Sequence, residues 1–322
     1  MKKKYSKILI DANSIGYAAH SARVLMNKVH GEVQSIFFGL KMIKKAVDTF
    51  ATPGHTKVIV LWDDKAKWRF DILPEYKGKR DDDPVKKASR SEYKRQTPVI
   101  RKALSLIGLE QRFAKGDEAD DLGGALVHNR EPGEKILLVT GDHDWLQLVS
   151  DDVDWFDPRE EGKFCDIGSF AAFTGISNPV AFSQAKAMLG DSSDNVKGVE
   201  GIGEKAVAAI FAEWGSVAKL FAWSGAHASI KLKEFQKGDL PDSLSRHRKP
   251  MSAFCFGDGR ERFIRNMHLM NLLSKRHRSP EILTNQVILQ TKFDETAFTD
   301  FCHEYAFMSI INAMPKWQET FS

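Results

Sequence analysis

Cysteine is scarce in this chain of 322 residues. The three cysteines, Cys165, Cys255 and Cys302, are scattered, odd in number and without metal-ligand spacing. That excludes a disulfide framework and a cysteine zinc site, and predicts free thiols in a reducing compartment. Long apolar runs are also missing. None approaches the roughly 18 residues that a membrane span requires, so no membrane partner is expected. The N-terminus, MKKKYSKILIDANS, starts basic but turns polar after ILI, without the apolar core and cleavage site of a secretory signal. A cytoplasmic, monomeric protein is the expectation. There is no internal repeat and no low-complexity tract. What remains is ordinary: 42% apolar and 28% charged residues, with length for one large domain or two smaller ones.

The net charge of +4 is uninformative, but its distribution is not. Residues 65–102 carry 13 Lys or Arg against 6 Asp or Glu, and residues 231–278 carry 12 against 5. Acids gather in short clusters elsewhere. Basic surface around an acidic centre suits an enzyme acting on a polyanion, although any one charge run also fits a solvated helix face.

KILIDAN, KVIVLWDD and EKILLVTGDHDW read as buried strands, each ending in aspartate. VQSIFFGLKMIKKAVDTF has helical spacing, PVIRKALSLIGLE is a helix with proline at its start, and DEADDLGGALVHNR opens another with Asp117 as N-cap. Strands alternating with helices predict an α/β fold with a mostly parallel sheet covered on both faces. The pattern changes after about residue 180, to helix, loop, glycine-rich turn and helix. Residues 225–258 are polar and weakly patterned, and are expected to be a mobile loop or insertion. DETAFTDFCHEYAFMSIINAM reads as one amphipathic helix.

In a parallel sheet the strand C-termini share one edge, where ligands bind. Asp11, Asp63 or its neighbour Asp64, Asp142 and Asp144 therefore converge. On a helix, Glu118, Asp120 and Asp121 share one broad face in the first turn. Asp191 and Asp194 share a face if GDSSDN is helical. So many carboxylates cannot all stay ionised near neutral pH unless cations neutralise them. Oxygen-only donors favour Mg2+ or Mn2+, and two such ions suit in-line attack of water on a phosphodiester. Taken singly, each cluster also fits a turn, a helix cap or a loop.

Between the second strand and PVIRK, basic residues interleave with Trp68, Phe70, Tyr76 and Tyr93. Aromatics of this kind stack on unpaired bases while Lys and Arg hold phosphates. Arg69, Lys77 and Arg80 lie close to Asp63 in sequence, placed to meet charge building on a phosphate. In GVEGIGEKA, Gly198, Gly201 and Gly203 precede a helix. Such a turn lets backbone amides approach phosphate, with Lys197 and Lys205 beside it. A plain helix–helix turn has the same pattern.

Together LIDAN, LWDD…WR…EYKGKR, DEADD, TGDHDW, MLGDSSDNVKGVEGIGEKA and RFIRNMHLMNL resemble the 5′-nuclease or flap-endonuclease superfamily. The likeness is to its phage 5′-3′ exonuclease and ribonuclease H type, and to the 5′-nuclease domain of bacterial DNA polymerase I. It spans residues 6 to about 275. The resemblance implies a PIN-like core over 1–180, with a helical arch at about 65–100. A helical domain would follow over 181–322, with a helix–three-turn–helix motif at about 185–220. It implies hydrolysis of DNA with two Mg2+ ions, Mn2+ being able to substitute. Substrates would be 5′ flaps, nicks and ends, extending to RNA–DNA hybrids, in replication primer removal. Partners would include single-strand-binding protein or replisome components, in the host cytoplasm if phage-encoded.

By motif, Asp11, Asp63, Glu118, Asp120, Asp121, Asp142, Asp144, Asp191 and Asp194 would form the metal site. Lys77 and Arg80 would be the catalytic cations of the arch, with Tyr76 stacking on a base and Arg69 on DNA. Val199, Gly201, Ile202 and Gly203 would contact duplex backbone, with K+ at the turn. Asp63, nearer the strand end, is favoured over Asp64. Competing readings are a DNA-binding protein on the same fold with decayed chemistry, and a phosphatase using an aspartate nucleophile.

Overall fold

The structure, a computed structural model, describes residues 4–159, 163–227 and 234–321. Seven strands form one sheet: β1 (Lys7–Asp11), β2 (Lys57–Leu61), β3 (Glu110–Ala114), β4 (Ile136–Val139), β5 (Val153–Asp157), β6 (Lys163–Cys165) and β7 (Gln286–Leu289). Their order is β7-β3-β2-β1-β4-β5-β6. The five central strands are parallel, and both edge strands run antiparallel to their neighbours. Alternation along each strand sorts residues to two faces. Ile8, Ile10, Val60 and Trp62 pack under α1 (Ala12–Ala22), α2 (Gln34–Phe50) and the helix Pro84–Leu106. Leu9, Ile59, Leu61 and Leu138 pack on the other side with Leu122 and Ala125 of Ala119–His128, and with Trp145 and Trp155.

A separate apolar cluster joins Ala187, Met188, Ile202, Val207, Ile210, Leu244, Met251, Phe254 and Phe263. It lies between the helices Pro179–Leu189, Glu204–Trp214, Arg248–Phe256 and Asp258–Met270. Residues 225–258 are therefore not a mobile loop where described. Phe235, Leu240, Leu244, Met251 and Phe254 are buried, at spacings too irregular to show a period. Residues 228–233 of that segment lie outside the described residues.

The chain then returns to the core. β7 pairs with β3, and Phe298, Phe301 and Trp317 cover the α1 face of the sheet. The expected single helix over 294–314 is two, Glu295–Glu304 and Met308–Ile311, and a further helix, Met314–Phe321, follows them. The break falls at Ala306, which sits at φ +58. One further helix begins earlier than the sequence suggests. Pro84–Leu106 carries Pro98 inside it and is capped by Asp83, which accepts the amides of Val85 and Lys86. Proline at the first position suits that start, because the missing N–H would have had no partner there.

Candidate active site

Three strand ends meet where β1, β2 and β4 finish side by side. Asp11 closes β1 and caps α1. Its Oδ1 accepts the Ser14 amide at 3.0 Å and its Oδ2 accepts the Thr140 hydroxyl at 2.9 Å. Burial and the nearby Asp63 charge push its carboxyl up to about 6. Beyond β2, Asp63 accepts the Ala119 amide at 2.8 Å, while Asp64 turns away to the Gly116 amide. Of the adjacent pair, Asp63 is the one whose charge acts on Asp11. Asp142 follows β4 and accepts the Asp144 amide at 2.8 Å. Burial and the Asp144 charge push it up to about 8. Burial raises Asp144 as well, although Lys186 Nζ lies 2.8 Å from its Oδ1. Two like charges close a buried strand here, and their acid strength falls accordingly.

The helix Ala119–His128 points its N-terminus at the same edge. Its N-cap is Glu118, whose amide donates to Asp121 Oδ2 at 3.0 Å. Asp117, expected as the cap, is buried and ion-paired with Arg276 instead. Asp121 has no exposure, and Arg69 and His277 both hold it. Burial alone would raise it, but Arg69 and His277 outweigh that and keep it well below the usual carboxylate range. Asp120 faces the opening and is raised by burial against the pull of Arg69.

GDSSDN is not helical. It is the turn between two-residue strands, Gly190–Asp191 and Val196–Lys197. Asp191 accepts the Ser193 amide and hydroxyl, both at 2.7 Å, which favours a turn over a helix. The turn is bolted to the base of the basic stretch. Lys77 donates its amide to the Asp194 carbonyl at 2.8 Å, and Asn195 donates to the Glu75 carbonyl at 2.8 Å. Asp194 binds Arg80 and the Tyr76 hydroxyl, and Glu118 binds Lys77 and the same hydroxyl. Burial notwithstanding, Lys77 and Arg80 hold Asp194 below its ordinary value.

The nine predicted carboxylates are thus linked along one edge. Among the described residues, no three His, Cys, Asp or Glu side chains converge closely enough to hold an ion. Lys186, Lys77 and Arg80 balance the carboxylates instead. The donor set still fits a hard divalent cation, because it is all oxygen and burial pushes Asp11, Asp120, Asp142 and Asp144 toward protonation. A cavity of about 580 Å3 lies at the opposite edge of the sheet, between Lys44, Lys57 and Lys316, far from this chemistry.

Two expected DNA contacts differ. Tyr76 is 4% exposed, with its hydroxyl tied to Glu118 and Asp194, so its ring is not offered to a base. Arg69 is 2% exposed and spans Asp120, Asp121 and the Leu269 carbonyl. The glycine turn is on the surface: Gly201, at φ +73, Gly203, Lys197 and Lys205 are exposed. The Val199 and Ile202 side chains point into the helical cluster. A Cβ on Gly201 would come within 2.5 Å of Pro250, so residues 247–250 buttress this turn. Lys186, Thr140, Ser14 and His277 escaped the sequence reading. Only Thr140 had a signal there, as neighbour to Asp142 in TGDHD.

With fold and site described, similarity can be read against them. A family profile for the 5′-3′ exonuclease N-terminal resolvase-like domain matches residues 6–172. The chain belongs to this family of nucleases. It is 31% identical over 215 residues to the thermostable DNA polymerase I of Thermus filiformis, covering 66% of this chain and 24% of that protein. It therefore spans about a quarter of the length of such relatives. Among solved structures, the bacteriophage T5 D15 protein co-crystallised with metal ions superposes with a TM-score of 0.59 at 20% identity, covering 86% of this chain and 95% of that one. The catalytic core of Rad2 in complex with DNA substrate gives 0.62 at 15% identity, covering 97% and 93%.

Proposed function

We propose that the chain is a structure-specific, divalent-metal-dependent 5′-3′ exonuclease and flap endonuclease. It would hydrolyse phosphodiester bonds of DNA near 5′ ends and junctions of single strand with duplex. One observation carries this reading: nine carboxylates from five segments lie along one sheet edge beside Lys77, Arg80 and Lys186. The T5 protein, described with metal ions, and the Rad2 core, described with DNA substrate, support it.

Asp11, Asp63, Glu118, Asp120, Asp142, Asp144, Asp191 and Asp194 would hold two Mg2+ ions, with Mn2+ able to replace them. Asp121, saturated by Arg69 and His277, would orient the others. When bound, the ions neutralise this edge and make water a nucleophile near neutral pH. Lys77 and Arg80, released from Glu118 and Asp194, would meet the phosphate as charge builds on it. One P–O bond forms from water and one breaks to the leaving oxygen, which takes up a proton. Exposed amides of the Gly198–Gly203 turn, with Lys197 and Lys205, would hold duplex backbone in a helix–three-turn–helix manner, with K+ there. Action on RNA–DNA hybrids in primer removal, beside single-strand-binding or replisome proteins, extends the same reading.

The test uses 5′-labelled flap, nicked, blunt and RNA–DNA hybrid duplexes, with and without Mg2+, and Asp142→Asn as control. The wild type should cut the junction substrates only with metal, and the variant should bind without cutting. Wild-type binding with no cleavage in Mg2+ or Mn2+ would refute the nuclease reading. A decayed DNA-binding protein would then account for the missing ion cage.

A further inference from the structure

Five cations at the carboxylate edge already hold acids. Arg69 lies on Asp121, Lys77 on Glu118, Arg80 on Asp194, Lys186 on Asp144 and Arg276 on Asp117. Arg101 does not. Its guanidinium carbon sits 4.5 Å from the Trp62 ring centre and 5.8 Å from that of Phe113. Among the described residues no carboxylate pairs with it, and its buried Nε has no hydrogen-bond partner.

The platform beneath it is fixed. Trp62 is 2% exposed and donates its Nε1–H to Gln111 Oε1 at 3.0 Å. Gln111 in turn donates to the Arg101 carbonyl at 3.0 Å and to the Ser105 hydroxyl at 2.9 Å. Trp62 directly precedes Asp63, and Tyr93, earlier on the same helix as Arg101, donates to Asn13 beside Asp11 at 3.0 Å. Arg101 therefore stands on the β2–β3 flank of the edge. Lys186 stands on the β4 flank. The rings attract the cation but leave its buried Nε–H without an acceptor. Burial pulls its pKa below the usual value, against the opposing pull of Tyr93 and Asp64.

We propose that Arg101 is a positioning residue that binds a phosphodiester of the nucleic-acid strand crossing the Asp63 flank. The proposal rests on the nuclease reading above. A planar, forked donor already immobilised on a ring suits a phosphate oxygen pair, and loses little freedom on binding it.

The test measures binding of a 5′-flap DNA in EDTA across a range of NaCl, for wild type, Arg101→Gln and Arg101→Lys. The Gln variant should bind about tenfold more weakly. Its plot of log Kd against log salt should be shallower by about one phosphate contact, roughly 0.7–0.9 in slope. The Lys variant, whose stem still covers Trp62, should keep the wild-type slope. In steady-state cleavage the Gln variant should raise KM and leave kcat near wild type, which mere packing over Trp62 would not produce. Equal slopes for wild type and a folded Gln variant overturn the proposal and leave the nuclease reading intact. A Gln variant that fails to fold shifts the decision to Lys, where a lost slope overturns it. At constant ionic strength, inorganic phosphate should displace DNA from the wild type more readily than from the Gln variant, and phosphate that binds at Arg101 without weakening DNA binding would assign the residue to free phosphate and overturn the proposal. A wild type that binds no flap DNA sinks both readings.

Discussion

Removing the Arg69 guanidinium tests how this edge is built. Asp121 has no exposure and Arg69 only 2%, and the two are joined by paired bonds, one of 2.9 Å. Arg69→Met keeps volume but strands a buried carboxylate beside Asp120 and Glu118. Breaking one partner of such a pair costs about 3–5 kcal/mol. At roughly 2–4 °C per kcal/mol for a chain of this size, the melting temperature should fall by about 10 °C. Asp121→Asn removes the stranded charge while keeping the shape. In the double variant the loss should fall short of the two single losses combined by about 2–3 kcal/mol. Denaturant unfolding followed by circular dichroism gives all four stabilities. Losses that simply add, within about 0.5 kcal/mol, would show that Arg69 does not hold Asp121 against burial, and the account of this edge would be wrong.

Three smaller outcomes are expected. Gly123→Ala brings a Cβ within 2.5 Å of the buried Trp145 ring, and thermal unfolding should show a net loss of about 1–3 kcal/mol despite alanine's better helix propensity. Asp83→Ala should cost about 1 kcal/mol and quicken amide exchange at Val85 and Lys86, which it caps. Burial pushes Cys165 up to about 11 and Cys255 and Cys302 up to about 12. At pH 8 the native protein should therefore react with a thiol reagent only as fast as it opens, and fast reaction of all three would contradict their burial.

Strands β1, β2 and β4 were legible because each is an apolar run that stops at aspartate. β3 and β5 were not. EQRFA and VDWFD carry buried acids, some of whose partners lie far away in sequence. Glu110 pairs with Lys57 and Arg112, and Asp154 accepts the Tyr5 hydroxyl at 2.7 Å. A run of residues does not show that a charge has a partner. The same limit hid Lys186, whose role exists only because its helix lies against the Asp142–Asp144 turn. Tyr76 was misread because an aromatic among cations looks like a base-stacking platform, until two carboxylates are seen to bind its hydroxyl. The aspartates were readable because parallel strands deliver their ends to one place whatever the loops do.

The return of β7 to the sheet changes what the helical region is. Residues 179–270 do not trail from the core. They form an excursion that leaves after β6 and is brought back through Leu272 and Ile282, which pack on the sheet face covered by the helix Ala119–His128, and then β7. An excursion tied at both ends has fewer ways to swing than an appended tail. Its glycine turn and the carboxylate edge are therefore spaced by two covalent routes. On the proposed reading, a nucleic acid held at one would be presented to the other at a set distance, much as a caliper fixes its second jaw.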